Sequence, residues 1–597
     1  MNWRRSRPAN SAVRVEGAAC RPGRQTTKGD RLPYQFAGDK ITGGTVLLSL
    51  ILSAAAAAQT GGPAGAGWPH YGGTQLSWRY SALDQINTGN VKNLAPAWIF
   101  QTGDYAENLQ STPVVIDGVM YLITPRARVF ALDAATGRLI WQYSYAPSRG
   151  AVPGSEGTFV QNRGLAVSEG RVLFGTVDNN VVALDSRTGR EVWKVAVDDP
   201  QQCSCNIGAA PLVAKDKVIV GGNNGDGAHR GYLTAFYVKT GRLAWRWYVV
   251  PGPGEKGHET WKGDSWKYGG GSPWLTGSFD PELNLVYWGT GNAGSDFYDR
   301  GRITGPNKSK DVNLYTASVV ALDADTGRLR WHYQEVPDDV WDFDSSYESI
   351  LIDREIKGRM RKLLVHMNKS GLTFVLDRTT GEFLGVFSVP ELQDWITGVT
   401  EDGRLAGRRE PEPGKPINYC PSVGGAKSWN SMAYSPRTGF LYMPLNELCN
   451  NVTATSEEGK EGNLFMNGGF DLTLPPNRTT YIHLDAWDPV TGKRVWSWPY
   501  KYVLLASVLA TAGDLVFTGV PEGFFFALDA RTGAKVWSFQ TGAGNRGSPV
   551  SYAANGRQYI ATPTGWQGSL IGSATSALFP GQQWRMGSTL VVFALPE

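Results

Sequence analysis

Two carboxylates in the segment Trp341-Asp342-Phe343-Asp344 have a spacing that suits the binding of one cation. If the segment is extended, side chains two residues apart point to the same side, so Asp342 and Asp344 would face one ion. Carboxylate oxygens are hard ligands, which suit hard cations. The alternative is an acidic loop on the protein surface.

The elements that must position these carboxylates come from a repeat that runs along the chain. In most copies an apolar strand ends in Asp, a turn ends in Thr-Gly, and the next strand alternates apolar and polar residues, as in Asp133, Thr136-Gly137 and Trp141. The glycine tolerates the positive φ of a tight turn. Further copies have Thr-Gly at 188–189, 240–241, 326–327, 380–381, 491–492 and 532–533, with a weaker copy at 438–439.

Eight copies, each a hairpin with further strands before it, predict an all-β fold: an eight-bladed β-propeller with W-shaped, four-stranded blades. The alternatives are a β-solenoid or two sandwiches. We expect the tryptophan of each copy to fill space between neighbouring blades. No helical periodicity is long enough to indicate a second domain.

Charge is distributed unevenly along the 597 residues. Nine basic and three acidic residues give positions 1–59 a formal charge of +6, which leaves −2 for the rest of a chain whose total is +4. A nearly neutral body gives no reason to expect a nucleic-acid partner.

The apolar segment from Thr45 to Ala58 follows basic residues and is too short to span a bilayer comfortably. Small residues follow it, so it reads as a secretory signal, with cleavage near 58–61. We therefore expect residues 1–59 to be a basic extension with a signal, residues 60–597 to be a single catalytic propeller domain, and the mature protein to be periplasmic. An uncleaved N-terminal anchor is the alternative.

Four cysteines remain once Cys20 leaves with the signal. Cys420 and Cys449 are expected to form a disulfide inside one repeat, since disulfides persist in exported proteins. Cys203 and Cys205 lie too near each other in sequence to make an easy bridge. No Cys-x-x-Cys-His motif occurs, so the chain has no site for covalent haem attachment.

Four loop segments, taken together and in this order, resemble those of the quinoprotein alcohol dehydrogenases, which use pyrroloquinoline quinone (PQQ). They are Asn162-Arg163-Gly164, Gly269-Gly270-Gly271 with Trp274, Gly289-Thr290-Gly291-Asn292, and Trp341-Asp342-Phe343-Asp344. The resemblance runs from about Trp68 to Phe593. It implies a PQQ- and metal-dependent enzyme that oxidises a primary alcohol, or a similar small hydroxy compound, by hydride transfer to PQQ.

The resemblance also assigns roles to individual residues. Asp342 would remove the alcohol proton, and Lys369 would stabilise charge on the reduced quinone. The implied metal ligands are Asp226, Asn292, Asp342 and Asp344. The implied cofactor contacts are Gln110, Arg163, Thr176, Ala209, Ala210, Ser272, Trp274, Lys369 and Ser428.

Three negative charges in this ligand set favour a highly charged cation. Asp344, at the +2 position, resembles the lanthanide-dependent branch of the family, and calcium is the alternative metal.

The cofactor cage departs from the family pattern at several positions. Gly157 and Thr158 stand where the family often has two adjacent cysteines that stack on PQQ, Gln110 replaces a Glu, and Ser428 replaces an Asn. Two interpretations follow: an active dehydrogenase with an altered quinone pocket, or a propeller without PQQ that serves as a binding or scaffold protein. The retained acids and Lys369 favour the first.

Because the chain lacks a haem motif, an active enzyme would pass its electrons to a separate cytochrome c. The other expected partner is the small alcohol substrate. Whether two copies form a homodimer stays open.

Overall fold

The computed structural model describes residues 67–105, 108–148, 160–203, 205–222, 226–304, 308, 311–457, 465–566, 575–579 and 584–597. The expected signal segment and the Gly157-Thr158 position lie outside the described residues.

The described chain forms eight blades of four antiparallel strands, one of which has a short fifth strand added in parallel, and this confirms the predicted eight-bladed propeller. Blades 1 to 4 consist of Val114–Ile116, Val119–Ile123, Arg128–Asp133 and Leu139–Ser144; Ala166–Ser168, Arg171–Gly175, Asn180–Asp185 and Glu191–Ala196; Leu212–Ala214, Lys217–Gly221, Tyr232–Tyr237 and Leu243–Tyr248; and Ser278–Asp280, Leu285–Gly289, Ser318–Asp323 and Leu329–Gln334. Blades 5 to 8 consist of Ser349–Ile356, Arg359–Met367, Leu372–Asp377 and Phe383–Ser388; Ala433–Tyr434, Leu441–Asn446, Ile482–Asp488 and Lys493–Tyr500; Leu509–Thr511, Leu515–Gly519, Phe524–Asp529 and Lys535–Gln540; and Val550–Ala554, Arg557–Thr564, Thr589–Ala594 and Ala95–Gln101.

Smaller elements decorate the blades. Tyr80–Ser81 pairs in parallel with the first strand of blade 7. A three-stranded sheet consists of Pro416–Tyr419, Cys449–Ala454 and Gly468–Thr473, and a hairpin of Gly398–Val399 and Leu405–Ala406. The helical elements are Pro200–Cys203, the 3-10 turns Val91–Asn93, His258–Thr260 and Ser265–Tyr268, and residues 575–578. Within the described ranges no helix has the length and apolarity needed to traverse a bilayer.

Blade 8 joins the two ends of the described chain. Its outer strand, Ala95–Gln101, comes from the N-terminal side and pairs antiparallel with Thr589–Ala594. This blade therefore has no Thr-Gly turn between its third and fourth strands. The weak copy at 438–439 lies instead between the first two strands of blade 6. The number of blades was predicted correctly, but assigning that weak copy to a blade of its own was wrong.

The repeated tryptophans fill the space between blades, as predicted. A β-carbon added to Gly189, in the turn of blade 2, would lie 2.6 Å from the ring of Trp141 in blade 1. The indole of Trp141 also donates to the carbonyl of Ser186 at 2.9 Å. The same close approach recurs for Trp98 with Gly137, Trp193 with Gly241, Trp245 with Gly327, Trp331 with Gly381, and Trp496 with Gly533.

Both cysteine pairs are bridged. The Cys420–Cys449 disulfide is confirmed. The expectation for Cys203 and Cys205 was wrong, because these two also form a disulfide. The helix Pro200–Cys203 ends at the first of these cysteines, and their α-carbons lie 5.0 Å apart, within the range that a disulfide spans.

Candidate functional site

One end of the propeller collects the loops that carry the candidate residues. In an antiparallel blade, the loop between the second and third strands and the connection to the next blade lie at the same end, opposite the Thr-Gly turns. These loops are residues 222–231 of blade 3, 290–317 of blade 4 and 368–371 of blade 5, with 335–348 joining blades 4 and 5. Residues distant in sequence can therefore meet there.

The centre of this end is an ion cluster of two carboxylates and one ammonium. Lys369 Nζ lies 2.5 Å from Asp342 Oδ1 and 2.9 Å from Asp344 Oδ2. All three side chains are buried. Burial raises the pKa of Asp342 well above its ordinary value, while Lys369 lowers it. Burial lowers the pKa of Lys369, but Asp342 and Asp344 raise it further, so the ammonium keeps its proton.

The segment around Asp342 is not extended, and the premise for placing both carboxylates on one side was wrong. Asp342 has φ 60°, a left-handed conformation, so the chain turns at this residue. The carboxylate of Asp339 stabilises the turn by accepting hydrogen bonds from the N–H groups of Trp341 at 3.0 Å and Phe343 at 2.8 Å. The two carboxylates share a partner because of this turn.

Asn292 lies directly against Asp344. Its N–H donates to Asp344 Oδ1 at 2.9 Å, and its side-chain amide donates to Asp296 Oδ1 at 2.6 Å. Asn292 Oδ1 is buried and has no hydrogen-bond partner in the described structure. A buried amide oxygen without a donor costs free energy unless a cation or another donor satisfies it. This atom is therefore a candidate ligand.

Asp226 approaches the same cluster from blade 3. Burial raises its pKa to about 6, with Lys369 lowering it and Asp344 raising it, so its charge acts on both of these residues. Its carbonyl oxygen accepts a hydrogen bond from Phe465 N at 2.7 Å. The four predicted metal ligands thus lie in one region.

In the part of the chain that the structure describes, no three of these carboxylates have oxygens that all lie within 4.8 Å of one another. Among the described residues, the three acids whose oxygens lie within 4.8 Å of one another are Asp299, Asp338 and Glu410. Lys308 Nζ contacts all three, at 2.6, 2.9 and 2.7 Å, so this second acidic group already contains a cation. Among the predicted ligands, the ammonium of Lys369 contacts two carboxylates, those of Asp342 and Asp344.

A cationic half of the site adjoins the acidic half. The guanidinium carbon of Arg163 lies 5.2 Å from the ring centre of Trp274 and 5.4 Å from that of Trp429. Arg163 Nε and Nη1 are buried without hydrogen-bond partners in the described structure. Trp274 meets the ring of Tyr347 edge-on at 5.6 Å, and the charges of Asp342 and Asp344 act on Tyr347.

Three of the predicted cofactor contacts, Ala209, Ala210 and Gln110, are buried. Ala209 and Ala210 are both buried, and the carbonyl of Ala210 accepts a hydrogen bond from the Thr276 hydroxyl at 2.7 Å. Gln110 is buried as well: its amide donates to Gln161 at 3.3 Å, and its Oε1 has no partner in the described structure.

The remaining predicted contacts have polar groups that already bond within the protein. The Thr176 hydroxyl donates to Asp178 at 2.6 Å, the Ser272 hydroxyl donates to the Gly222 carbonyl, and the carbonyl of Ser428 accepts from Lys427 at 3.2 Å. The hydroxyl of Thr176 therefore already has a protein partner, and its contact with the cofactor stays a prediction.

Two buried charged residues of this end were missed from the sequence. Asp296 follows Asn292 by four residues, outside any repeat. Arg546 is buried, with its guanidinium carbon 5.2 Å from the ring of Trp566; burial lowers its pKa to about 9, and Arg163 lowers it too. Both stand in glycine-rich loops, where sequence patterns do not distinguish buried from solvated charges.

Known proteins resemble this chain over most of its length. A family model described as the PQQ-containing glucose/ethanol/alcohol dehydrogenase β-propeller domain matches residues 68–393 and 499–560. Quinoprotein alcohol dehydrogenase PedH of Pseudomonas putida is 37% identical over 545 residues, covering 87% of this chain and 89% of that protein. The lanthanide-dependent methanol dehydrogenase of Methylorubrum extorquens is 33% identical over 569 residues, covering 87% and 92%.

Solved structures show the same similarity. A europium-containing methanol dehydrogenase has a TM-score of 0.82 and 31% identity, covering 89% of this chain and 98% of its own. The quinohemoprotein alcohol dehydrogenase of Comamonas testosteroni has a TM-score of 0.81 and 36% identity, covering 89% and 82%.

Proposed function

This chain belongs to the family of PQQ-dependent alcohol dehydrogenases, and we propose on that premise that it is a periplasmic enzyme that oxidises a small primary alcohol with PQQ and a metal ion. The observation that carries the proposal is the buried carboxylate of Asp342, 2.5 Å from Lys369 Nζ and beside an aromatic, cationic half-site. A proton acceptor in this position is what alcohol oxidation requires.

The cationic half of the site fits PQQ, which is flat and carries three carboxylates. Arg163 offers two buried N–H groups without partners, and a guanidinium binds a carboxylate through a two-pronged contact. Trp274 supplies an aromatic face beside it. We assign cofactor contacts to Arg163, Trp274 and Lys369, with Gln110 at the edge.

The acidic half fits a hard metal ion. The unpartnered oxygen of Asn292 and the carboxylates of Asp226, Asp342 and Asp344 are hard donors, which suit calcium or a lanthanide and exclude a soft-metal site. Three carboxylates favour the trivalent ion, and two of the similar proteins are named for a lanthanide or europium. We therefore propose a lanthanide as the resident ion.

When bound, PQQ supplies an electrophilic quinone that accepts hydride, and the metal supplies Lewis acidity. Asp342 would accept the hydroxyl proton of the alcohol on a carboxylate oxygen. Lys369 orients that carboxylate and keeps positive charge next to it. The turn stabilised by Asp339 fixes the direction of the carboxylate.

The setting of the enzyme is also a proposal. The basic and apolar segment at 1–59 supports export, with residues 60–597 as the catalytic propeller. The sequence lacks a Cys-x-x-Cys-His motif, which supports electron transfer to a separate cytochrome c.

Reconstitution tests the proposal. We expect the purified protein, incubated with PQQ and with either calcium or a lanthanide, to show quinone absorbance and to reduce an artificial dye when a primary alcohol is added. The lanthanide form should be the more active. If quinone absorbance and dye reduction are lacking under every metal, the proposal is wrong and the propeller without PQQ, acting as a binding protein, is favoured.

A further inference from the structure

Asp296 is a fourth carboxylate beside the three candidate metal-binding carboxylates, and it lies outside the repeat and outside the segments that resemble the family. Its side chain is fully buried. Asp296 Oδ1 accepts the hydrogen bond from the Asn292 amide at 2.6 Å, whereas its Oδ2 is buried without a partner in the described structure. A buried carboxylate oxygen in this state needs a cation or a donor to offset its desolvation.

The charged residues that act on Asp296 belong to the candidate metal site. Asp226 and Asp342 are the carboxylates that act on it most strongly, and Lys369 is the ammonium that does so. These are the same residues that define the acidic half of the site. The bond from Asn292 occupies Oδ1 of Asp296, so Oδ2 is the oxygen left to bind an ion.

The charge of the whole cluster matches a trivalent ion. Four carboxylates and one ammonium act on one another here and, when ionised, total −3: Asp226, Asp296, Asp342, Asp344 and Lys369. Asp339 is a fifth acid nearby, but its two oxygens accept hydrogen bonds from the N–H groups of Trp341 and Phe343. With Asp296 omitted, the cluster would total −2, so Asp296 supplies one of the three net negative charges that balance a trivalent ion.

We propose that Asp296 is an additional ligand of the metal ion through Oδ2, and that it sets the preference of this site for a trivalent cation. Its Oδ1 also orients Asn292, so that the Asn292 oxygen is directed to the same ion. This inference rests on the proposed function, because it assumes the metal site formed by the other four residues.

Europium luminescence tests the ligand directly, without enzyme activity. Decay rates in H2O and D2O give the number of water molecules on bound europium, and titration gives its affinity. The wild-type propeller and the Asp296→Asn variant are compared, each in the presence and in the absence of PQQ. The asparagine keeps the size of the side chain and an oxygen that accepts from Asn292. It removes a buried charge, so folding is not threatened.

We expect Asp296→Asn to raise the hydration number of europium by about one, because water replaces the lost oxygen ligand, and to weaken binding at least about tenfold. Calcium binding should weaken less. Asp299→Asn is the matched control, since Asp299 lies three residues on in the same loop and pairs with Lys308. That control should leave both measurements unchanged.

The possible outcomes separate this inference from the proposed function. If europium bound to Asp296→Asn has the wild-type hydration number, Asp296 is not a ligand, whatever the affinity of this variant. If Asp344→Asn then loses europium affinity, the proposed function stays intact. If wild-type protein binds no europium, or Asp344→Asn binds it as wild type does, the metal site itself is wrong and both proposals fall.

Discussion

Gly291 lies so close to the Asp344 carboxylate that the smallest added side chain should disturb the site. A β-carbon at Gly291 would lie 2.8 Å from Asp344 Oδ1 and 2.8 Å from the carbonyl oxygen of Ser272. The Ser272 oxygen belongs to the backbone and cannot move cheaply. We therefore expect Gly291→Ala to displace the Asp344 carboxylate, which is held in place by Asn292 N at 2.9 Å.

The magnitude follows from these contacts. Overpacking a rigid site costs about 1–3 kcal/mol of folding free energy. Moving Asp344 also weakens its bond to Asn292 N and takes one oxygen away from the metal, and a loss of about 1.4 kcal/mol in binding is tenfold in affinity. We expect Gly291→Ala to remain folded and to bind the lanthanide at least about tenfold more weakly than the wild type.

Urea unfolding and lanthanide titration measure the two effects on one preparation. Gly469→Ala is the matched control, because a β-carbon there meets no atom within 4 Å. It should unfold and bind as the wild type does. If Gly291→Ala had the same unfolding midpoint and the same lanthanide affinity as Gly469→Ala, the packing of Asp344 described above would be incorrect.

Three further predictions concern catalysis, pH and blade packing. Asp342→Asn should lower kcat for dye reduction by about a hundredfold to ten-thousandfold, because the amide cannot accept the alcohol proton; an unchanged kcat would exclude Asp342 as the base. Burial lowers the pKa of His483, but contacts with Asp485 at 2.8 Å and Glu447 at 2.7 Å outweigh burial and raise this pKa from 6.5 to about 9. The folded state thus binds the proton more tightly, so about 3 kcal/mol of stability is present below pH 6.5 and is lost as the pH rises through about 9. Urea unfolding across this window should show the loss in the wild type and little of it in His483→Gln; equal slopes would contradict the assignment. Trp331→Ala should cost about 3–5 kcal/mol in urea unfolding, since a buried indole and its bond to a neighbouring blade are lost; a cost below about 1 kcal/mol would contradict its role between blades.

The repeating part of the fold could be predicted because it depends on local chemistry. In most turns the Asp, Thr and Gly hydrogen bond within four residues, as Asp133 does with Thr136 and Gly137, and so leave a pattern in the sequence. Blade 8 could not be found in this way. Its outer strand, Ala95–Gln101, reaches its partner only when the ring closes, and no local signal marks a pairing across almost the whole chain.

The site was predicted in part for the same reason. Asp342, Asp344 and Asn292 stand in short segments that resemble a known family, and the structure brings them together. Asp296 and Arg546 have no such segment, and their importance comes from burial, which depends on the surrounding blades. The Cys203–Cys205 bridge was missed because sequence separation says little about how sharply a turn folds back.

The two halves of the site carry opposite charge and meet at Tyr347. Its ring contacts Trp274, which lies against Arg163, while its hydroxyl is buried without a partner in the described structure. The acids and Lys369 act on it from the other side. PQQ bound alone would leave the negative charge of the acids without a cation, and a metal ion bound alone would leave Arg163 without an anionic partner. Each half therefore suits a ligand of opposite charge, with an anionic cofactor beside Arg163 and a cation among the acids.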